Sequence, residues 1–252
     1  MICALLLGRE GSAGFPGKNS YPVLGRPLMA YPLMAARDAR HVDRTYVSTD
    51  SPHLSAIAKE YGAAVIARPP HLATASALGE HAFVHGYECI RDALASDSSS
   101  VELLVLLFAN AATITAATID EAVTVMRRDN DIDSAVTVSR YNMWSPIRAR
   151  RIGHDGLLHP FVPLETFGDP AALSCDRDSQ GDVWFADMGL SVVRPRCLEQ
   201  LDAGVLPQRW MGRRIHPIKQ WGGLDVDYEW QIPLVEHWLR AHGTEPAKEM
   251  TG

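Results

Sequence analysis

Gly8-Arg9-Glu10-Gly11-Ser12-Ala13-Gly14-Phe15-Pro16-Gly17-Lys18-Asn19 follows directly on the apolar run Ile2 to Leu7. Glycine recurs at every third position from Gly8 to Gly17, which strips side chains from a strand-to-loop turn. Backbone N–H groups can then approach a bound anion closely, the arrangement by which proteins cradle phosphates. Arg9 and Lys18 bracket the loop with positive charge, and Ser12 adds a hydroxyl donor. The spacing is neither a dinucleotide fingerprint nor a Walker loop, because Lys18 is followed by Asn19. The glycines alone are equally compatible with a connection that binds nothing. The whole string after a strand buried on both faces reads as a polyphosphate site.

Outward from that turn, strand-like and helix-like segments alternate. Strands are expected at 2–7, 44–48, 64–67, 101–108 and 134–138, with helices at 28–39, 52–61, 79–94 and 116–128. Pro27 suits the opening of the first helix and Gly62 the end of the second. Thr115 or Thr118 would cap the fourth, with Asp120 and Glu121 in its first turn. This rhythm predicts an α/β fold, a Rossmann-like, doubly wound, mostly parallel sheet. Its ligands should lie at the carboxyl ends of the strands, where the glycine loop, Ser48 to Asp50 and Phe108 to Asn110 would meet. From 141 to 182 periodicity dissolves, although Trp144, Leu157, Leu158, Phe161, Leu164 and Phe167 argue against disorder. Regular structure resumes at 183–193, followed by a short helix near 197–201, a strand at 214–218 and a final helix from 228 to 242. One domain spanning 1–252 is expected.

Composition narrows the function. The 252 residues are 46% hydrophobic and 21% charged, with a net charge of −6. No lysine or arginine run supplies a nucleic-acid footprint. The run from Ile2 is too short for a signal h-region or a membrane span, and no basic segment precedes it. No nucleic-acid or membrane partner is expected. Cys3, Cys89, Cys175 and Cys197 form no C-x-x-C pair, which suggests no zinc or disulfide framework and suits a reducing cytoplasm. His81 and His85 share an i,i+4 spacing, with no third ligand evident, and read as a solvated helix face.

The string R-x-G-S-x-G-x-P-x-K-N resembles the signature of the cytidylyltransferases that activate sugar acids, the CMP-sialic acid, CMP-KDO and CMP-pseudaminic acid synthetases. Val47-Ser48-Thr49-Asp50 resembles that family's "STD" turn, Arg68-Pro69 its "RP", and Leu224-Asp225-Val226-Asp227 its late D-x-D metal element. The resemblance runs in order over roughly residues 2 to 240. It implies nucleotidyl transfer, an in-line attack of an acceptor oxygen on the α-phosphorus of CTP with loss of pyrophosphate. Catalysis of that step is mainly positioning and neutralisation of charge.

The resemblance assigns roles residue by residue. Arg9 and the loop around Gly8, Gly11 and Ser12 would hold the β- and γ-phosphates, and Lys18 would neutralise charge near the α-phosphate. Asn19 would bond the ribose or base, Arg68 would offer donors to cytosine O2, and Asn110 belongs with the nucleotide-binding residues. Asp225 and Asp227, one residue apart in an extended segment, project to one side and can share Mg²⁺. Asp227 alternatively caps the final helix. Asp187, in a "DMG" that resembles the family's "DAG", would position the acceptor hydroxyl. The 141–182 segment would be a dimerisation arm that closes the site of a second subunit, making the protein a homodimer. Arg148, Arg150, Arg151 and Arg177 within it offer guanidinium forks for an anionic head group.

Two departures bear on the acceptor. Ala13 stands where sialic-type members carry lysine, and Leu107-Phe108-Ala109-Asn110 replaces "L-Q-P-T". The expected acceptor is therefore small and anionic, a nonulosonic or other 2-keto sugar acid. A phosphonate acceptor and a degenerate nucleotide-binding protein without turnover are the alternatives.

Overall fold

The computed structural model describes residues 1–11, 14–174, 176 and 181–247. Eleven strands and six α-helices follow in chain order: β1 (Ile2–Leu7), β2 (Pro22–Val23), β3 (Arg26–Pro27), α1 (Ala30–Asp38), β4 (Arg44–Thr49), α2 (Pro52–Glu60), β5 (Ala64–Ala67), α3 (Gly79–Ser96), β6 (Leu103–Phe108), α4 (Ala116–Arg128), β7 (Ser134–Arg140), β8 (Arg150–Ile152), β9 (Leu158–Pro160), β10 (Trp184–Val193), α5 (Pro195–Glu199), β11 (Ile215–Gln220) and α6 (Ile232–Ala241).

Seven strands form the main sheet in the order β11-β7-β10-β6-β1-β4-β5. All run parallel except β10, which is antiparallel to both β6 and β7. Leu7 lies in register with Ser48 on one side and Phe108 on the other. The carboxyl ends of β1, β4, β5, β6, β7 and β11 thus share one edge of the sheet, together with the beginning of β10.

β1 is continuously apolar because alternate residues serve two cores. Ile2, Ala4 and Leu6 pack with residues of α1, α2 and α4 such as Leu33, Leu54 and Val123. Cys3, Leu5 and Leu7 pack with Phe83, Tyr87 and Ile90 of α3 and with Trp210. Helix α3 lies so close that a Cβ on Gly86 would sit 2.6 Å from a Leu5 methyl. A third cluster joins Val23, Leu28 and Tyr31 to Val235, Trp238 and Leu239 of α6, with Val226 fully buried among them. It fastens the last helix, and the segment leading into it, beside the loop after β1.

Several local expectations are corrected. Pro27 belongs to β3 of a two-stranded hairpin, and α1 starts at Ala30. The Asp120 carboxylate does not serve the start of α4. It accepts from the backbone N–H groups of Arg40 and His41 at 3.3 and 3.1 Å and so ties down the α1–β4 corner. Thr115 is the α4 cap, accepting from the Thr118 N–H at 3.2 Å. The 141–182 stretch contains the hairpin β8–β9 and several 3-10 turns, which periodicity does not reveal in segments of three residues. The expected final helix divides into a 3-10 turn, Glu229–Gln231, and α6. His81 is exposed but His85 is half-buried, its Nε2 lying 3.7 Å from Cys89 Sγ.

Candidate active site

Where β1 ends, the Gly8 N–H donates to the Ser48 carbonyl at 3.2 Å. A Cβ on Gly8 would lie 3.1 Å from that of Ala109, so a larger residue would crowd the β6 exit. The Glu10 N–H donates to Asp50 Oδ1 at 3.2 Å, linking the loop to the turn after β4. Gly11 and Gly17 take φ values of +80° and +76°, which glycine adopts without steric cost. Buried Asn19 donates from Nδ2 to the Arg9 carbonyl at 3.0 Å, closing the loop across its base. That bond commits one amide donor of Asn19 to the loop. Ser12, expected to donate to phosphate, and Ala13 lie outside the described residues.

The loop returns against a segment more than two hundred positions away in sequence. A Cβ on Gly14 would come within 2.8 Å of the Asp227 carbonyl oxygen, so the glycine permits this approach. Lys18 Nζ lies 2.7 Å from Asp227 Oδ1. The lysine side chain is 12% exposed and the aspartate 59%. A pair this open to water contributes at most about 1 kcal/mol to stability. Its significance is the placement of a cation beside an acid.

The buried Val226 explains how the acidic pair is presented. Its side chain enters the third core cluster, so Asp225 and Asp227 on either side point away from that core. Asn110 holds the segment between them by reciprocal bonds. Its carbonyl accepts from the Val226 N–H at 2.9 Å and its Nδ2 donates to the Val226 carbonyl at 2.9 Å. Nδ2 also reaches Asp225 Oδ2 at 3.3 Å. Burial pushes the Asp225 carboxyl above its ordinary value, the Asp227 charge pushes it further, and Lys18 and Asn110 oppose both. The helix cap is supplied by another residue. Gln231 Oε1 accepts from the N–H groups of Asp227 and Tyr228 at 2.7 and 2.8 Å, leaving the Asp227 carboxylate to Lys18.

Arg68 is buried at the exit of β5. Its Nε donates to Ser48 Oγ at 3.1 Å and its Nη2 to the Ser48 carbonyl at 2.5 Å. Burial pulls the guanidinium down to about 10, against the pull of Asp50 and with that of Arg9, so it stays cationic near neutrality. A cavity of about 380 Å³ brings Arg9, Lys18, Asn19, Arg68, Asn110 and Asp227 to one space. Leu72, Leu78, Ala82 and Phe108 give it an apolar wall, and Tyr228 stands beside Asp227. Phe83 backs Phe108 edge-on with ring centroids 5.2 Å apart. Sequence reading missed Leu72, Leu78 and Tyr228. Only Tyr228 carried a signal, its adjacency to Asp227.

The two carboxylates suit a hard divalent ion that completes its shell with water and phosphate oxygens. No group of three or more histidine, cysteine or acidic side chains able to hold a metal occurs among the described residues. An ion at Asp225 and Asp227 would take its remaining ligands from water, carbonyl or phosphate oxygens.

Some expected site residues lie apart from this cavity. Asp187 is 5% exposed and its carboxylate accepts from Ser139 Oγ, Gln220 Nε2 and the Gly189 N–H at 2.7, 2.9 and 3.2 Å. It faces into the protein and does not line the cavity. Arg148, Arg150 and Arg151 are exposed on the arm, and Arg150 donates to the Ile147 and Ala149 carbonyls. Arg177 and Cys175 lie outside the described residues; Cys3, Cys89 and Cys197 are free thiols.

Residues 3–122 match the family model described as cytidylyltransferase. The N-acylneuraminate cytidylyltransferase of Escherichia coli is 33% identical over 146 residues, 58% of this chain and 33% of that protein. The CMP-N,N'-diacetyllegionaminic acid synthase of Legionella pneumophila is 39% identical over 64 residues, 25% of this chain and 28% of that one. The chain thus spans about a third or less of the length of these curated relatives. A solved CMP-2-keto-3-deoxy-manno-octonic acid synthetase, complexed with CTP, superposes with a TM-score of 0.64 over 96% of this chain and 99% of its own, at 15% identity. At that identity the likeness is one of fold. Residues 3–122 thus resemble the cytidylyltransferase family model in sequence, and the whole chain shares the fold of the solved synthetase.

Proposed function

We propose that this protein is a Mg²⁺-dependent cytidylyltransferase that joins CMP from CTP to a small acidic acceptor, with release of pyrophosphate. The observation that carries this reading is the 2.7 Å approach of Lys18 to Asp227, which unites the phosphate loop with the acidic pair. The named relatives act with sugar acids, so a 2-keto sugar acid is the first acceptor class.

In this reading the nucleoside lies over β1, β4 and β5, where Arg68 presents its guanidinium, and the triphosphate lies along the loop from Gly8 to Lys18. Arg9 and the loop amides hold the β- and γ-phosphates. Lys18 offsets the charge that develops at the α-phosphate in the transition state. Asp225 and Asp227 would hold Mg²⁺, which when bound supplies neutralisation of phosphate charge. Asn110 keeps those two carboxylates at a fixed height, and Asn19 keeps the loop closed at its base. The acceptor enters over β6, against Phe108.

Phe108 also bears on acceptor chemistry. An aromatic ring at the β6 exit offers no hydrogen bond to a sugar hydroxyl, which keeps a phosphonate acceptor as the second reading. The exposed apolar residues of the arm support a homodimer, and the free thiols suit a cytoplasmic setting.

Pyrophosphate release from CTP and Mg²⁺ over a panel of nonulosonic acids, other 2-keto sugar acids and phosphonates tests the proposal. Release with a sugar acid is expected. Release with a phosphonate alone would move the assignment to the second reading. CTP binding without turnover on any acceptor would identify a degenerate member.

A further inference from the structure

Asp187 lies at the active edge of the sheet, yet its carboxylate is sealed inside. The backbone there departs from regular pairing. The register between β10 and β7 shifts between Ala186 and Ser191, and Met188 adopts φ +61°. Bulges of this kind re-aim a side chain, and a non-glycine residue in the left-handed region costs conformational energy. The strained turn delivers Asp187 to the ends of β7 and β11. Neither Ser139, Gln220 nor the Gly189 N–H, its hydrogen-bond donors, is a cation.

Those donors lead to the acidic segment. The Ser139 hydroxyl donates to Asp187 Oδ2 at 2.7 Å and itself accepts from the Gly223 N–H at 2.9 Å. Gln220 Nε2 bridges Asp187 Oδ2 at 2.9 Å and the Thr113 carbonyl at 3.2 Å. The Thr113 hydroxyl accepts from the Leu224 N–H at 2.9 Å. The Tyr141 hydroxyl donates to the Gly223 carbonyl at 2.9 Å. A side chain on Gly223 would collide with the Asp187 carboxylate and the Gln220 amide, so glycine lets the segment press onto this network. Asp225 follows two residues later.

We infer that Asp187 is a positioning residue that acts through Ser139 and Gln220 on Gly223 and Leu224, fixing the segment of Asp225 and Asp227 at the height where Asp227 meets Lys18. This rests on the reading of Asp225 and Asp227 as a divalent-cation site. It replaces direct contact of Asp187 with the acceptor. Buried polar partners that orient metal ligands typically change metal affinity about 10–100-fold when removed.

The test uses the full chain with CTP present and Mn²⁺ as probe, free Mn²⁺ being read by electron paramagnetic resonance. D187N and S139A are compared with wild type and with D225A. About a tenfold or greater loss of Mn²⁺ affinity is expected in D187N and S139A. CTP affinity measured in EDTA should remain at the wild-type value, which a general loss of structure would not allow. The acceptor KM of both variants should move less than about twofold, because neither side chain lines the cavity. Wild-type Mn²⁺ affinity in both variants, or a raised acceptor KM with Mn²⁺ affinity unchanged, would overturn the inference. Wild-type Mn²⁺ affinity in D225A would instead overturn the cation-site reading beneath it. A variant that loses metal-free CTP binding as well would assign the network to folding and reject a positioning role.

Discussion

Lys18 and Arg68 are both cations in one cavity, and the proposed function gives them different work. Lys18 reaches Asp227 at the mouth of the cleft, whereas Arg68 is buried and committed to Ser48. K18M should lower kcat by about 10²–10³-fold, the range for removing one group that stabilises transition-state charge, with a much smaller change in CTP affinity. R68M should instead raise the KM for CTP by tenfold or more while kcat changes little, the signature of binding shared by ground and transition states. Steady-state kinetics of the two variants separates these outcomes. Equal effects on kcat in both would reject the division of labour.

At the scale of elements, the start of β11 depends on one acid. Asp133 Oδ2 accepts from the N–H groups of Arg213 and Arg214 at 2.8 and 3.0 Å, and Oδ1 from Arg196 Nε at 2.9 Å. Burial raises the Asp133 carboxyl, but these donors outweigh it and hold the group below the ordinary carboxylate range. A depressed folded-state value means stability that is complete above the unfolded value near 4 and is lost as pH falls through the folded one. D133N should therefore cost about 1–3 kcal/mol in urea unfolding at pH 7, and the gap from wild type should narrow at pH 3. An unchanged gap would contradict the assigned shift. Asp133 carried no sequence signal, since its partners converge from two distant stretches of chain, at Arg196 and at Arg213 and Arg214. The sheet itself was legible because β1 and β6 are continuous apolar runs. The reversal of β10 was not, as periodicity gives no strand direction. The acidic pair was legible because Val226 alternates with two aspartates. Asp187 was singled out by the resemblance of its Asp-Met-Gly to a family motif, whereas the burial of its carboxylate goes with a bulge that sequence does not reveal.

Across the whole molecule, the fold gathers residues from distant parts of the chain at one sheet edge, and the 141–182 segment displays apolar side chains. Trp144, Ile152, Leu157, Leu158 and Phe161 are each more than 60% exposed, an apolar display typical of an interaction surface. Light scattering should give twice the 27.7 kDa mass of one chain, and L158E/F161E should give the monomer. A monomeric wild type would remove the arm from the active site. The union of these distant parts is tested most directly by D227A, assayed for pyrophosphate release at saturating CTP and Mg²⁺ with an acceptor the wild type uses. Turnover should fall at least 100-fold with Tm within about 4 °C of wild type, because the exposed ion pair contributes no more than about 1 kcal/mol. Wild-type turnover in D227A would contradict the joining of phosphate loop and acidic pair in one catalytic cleft.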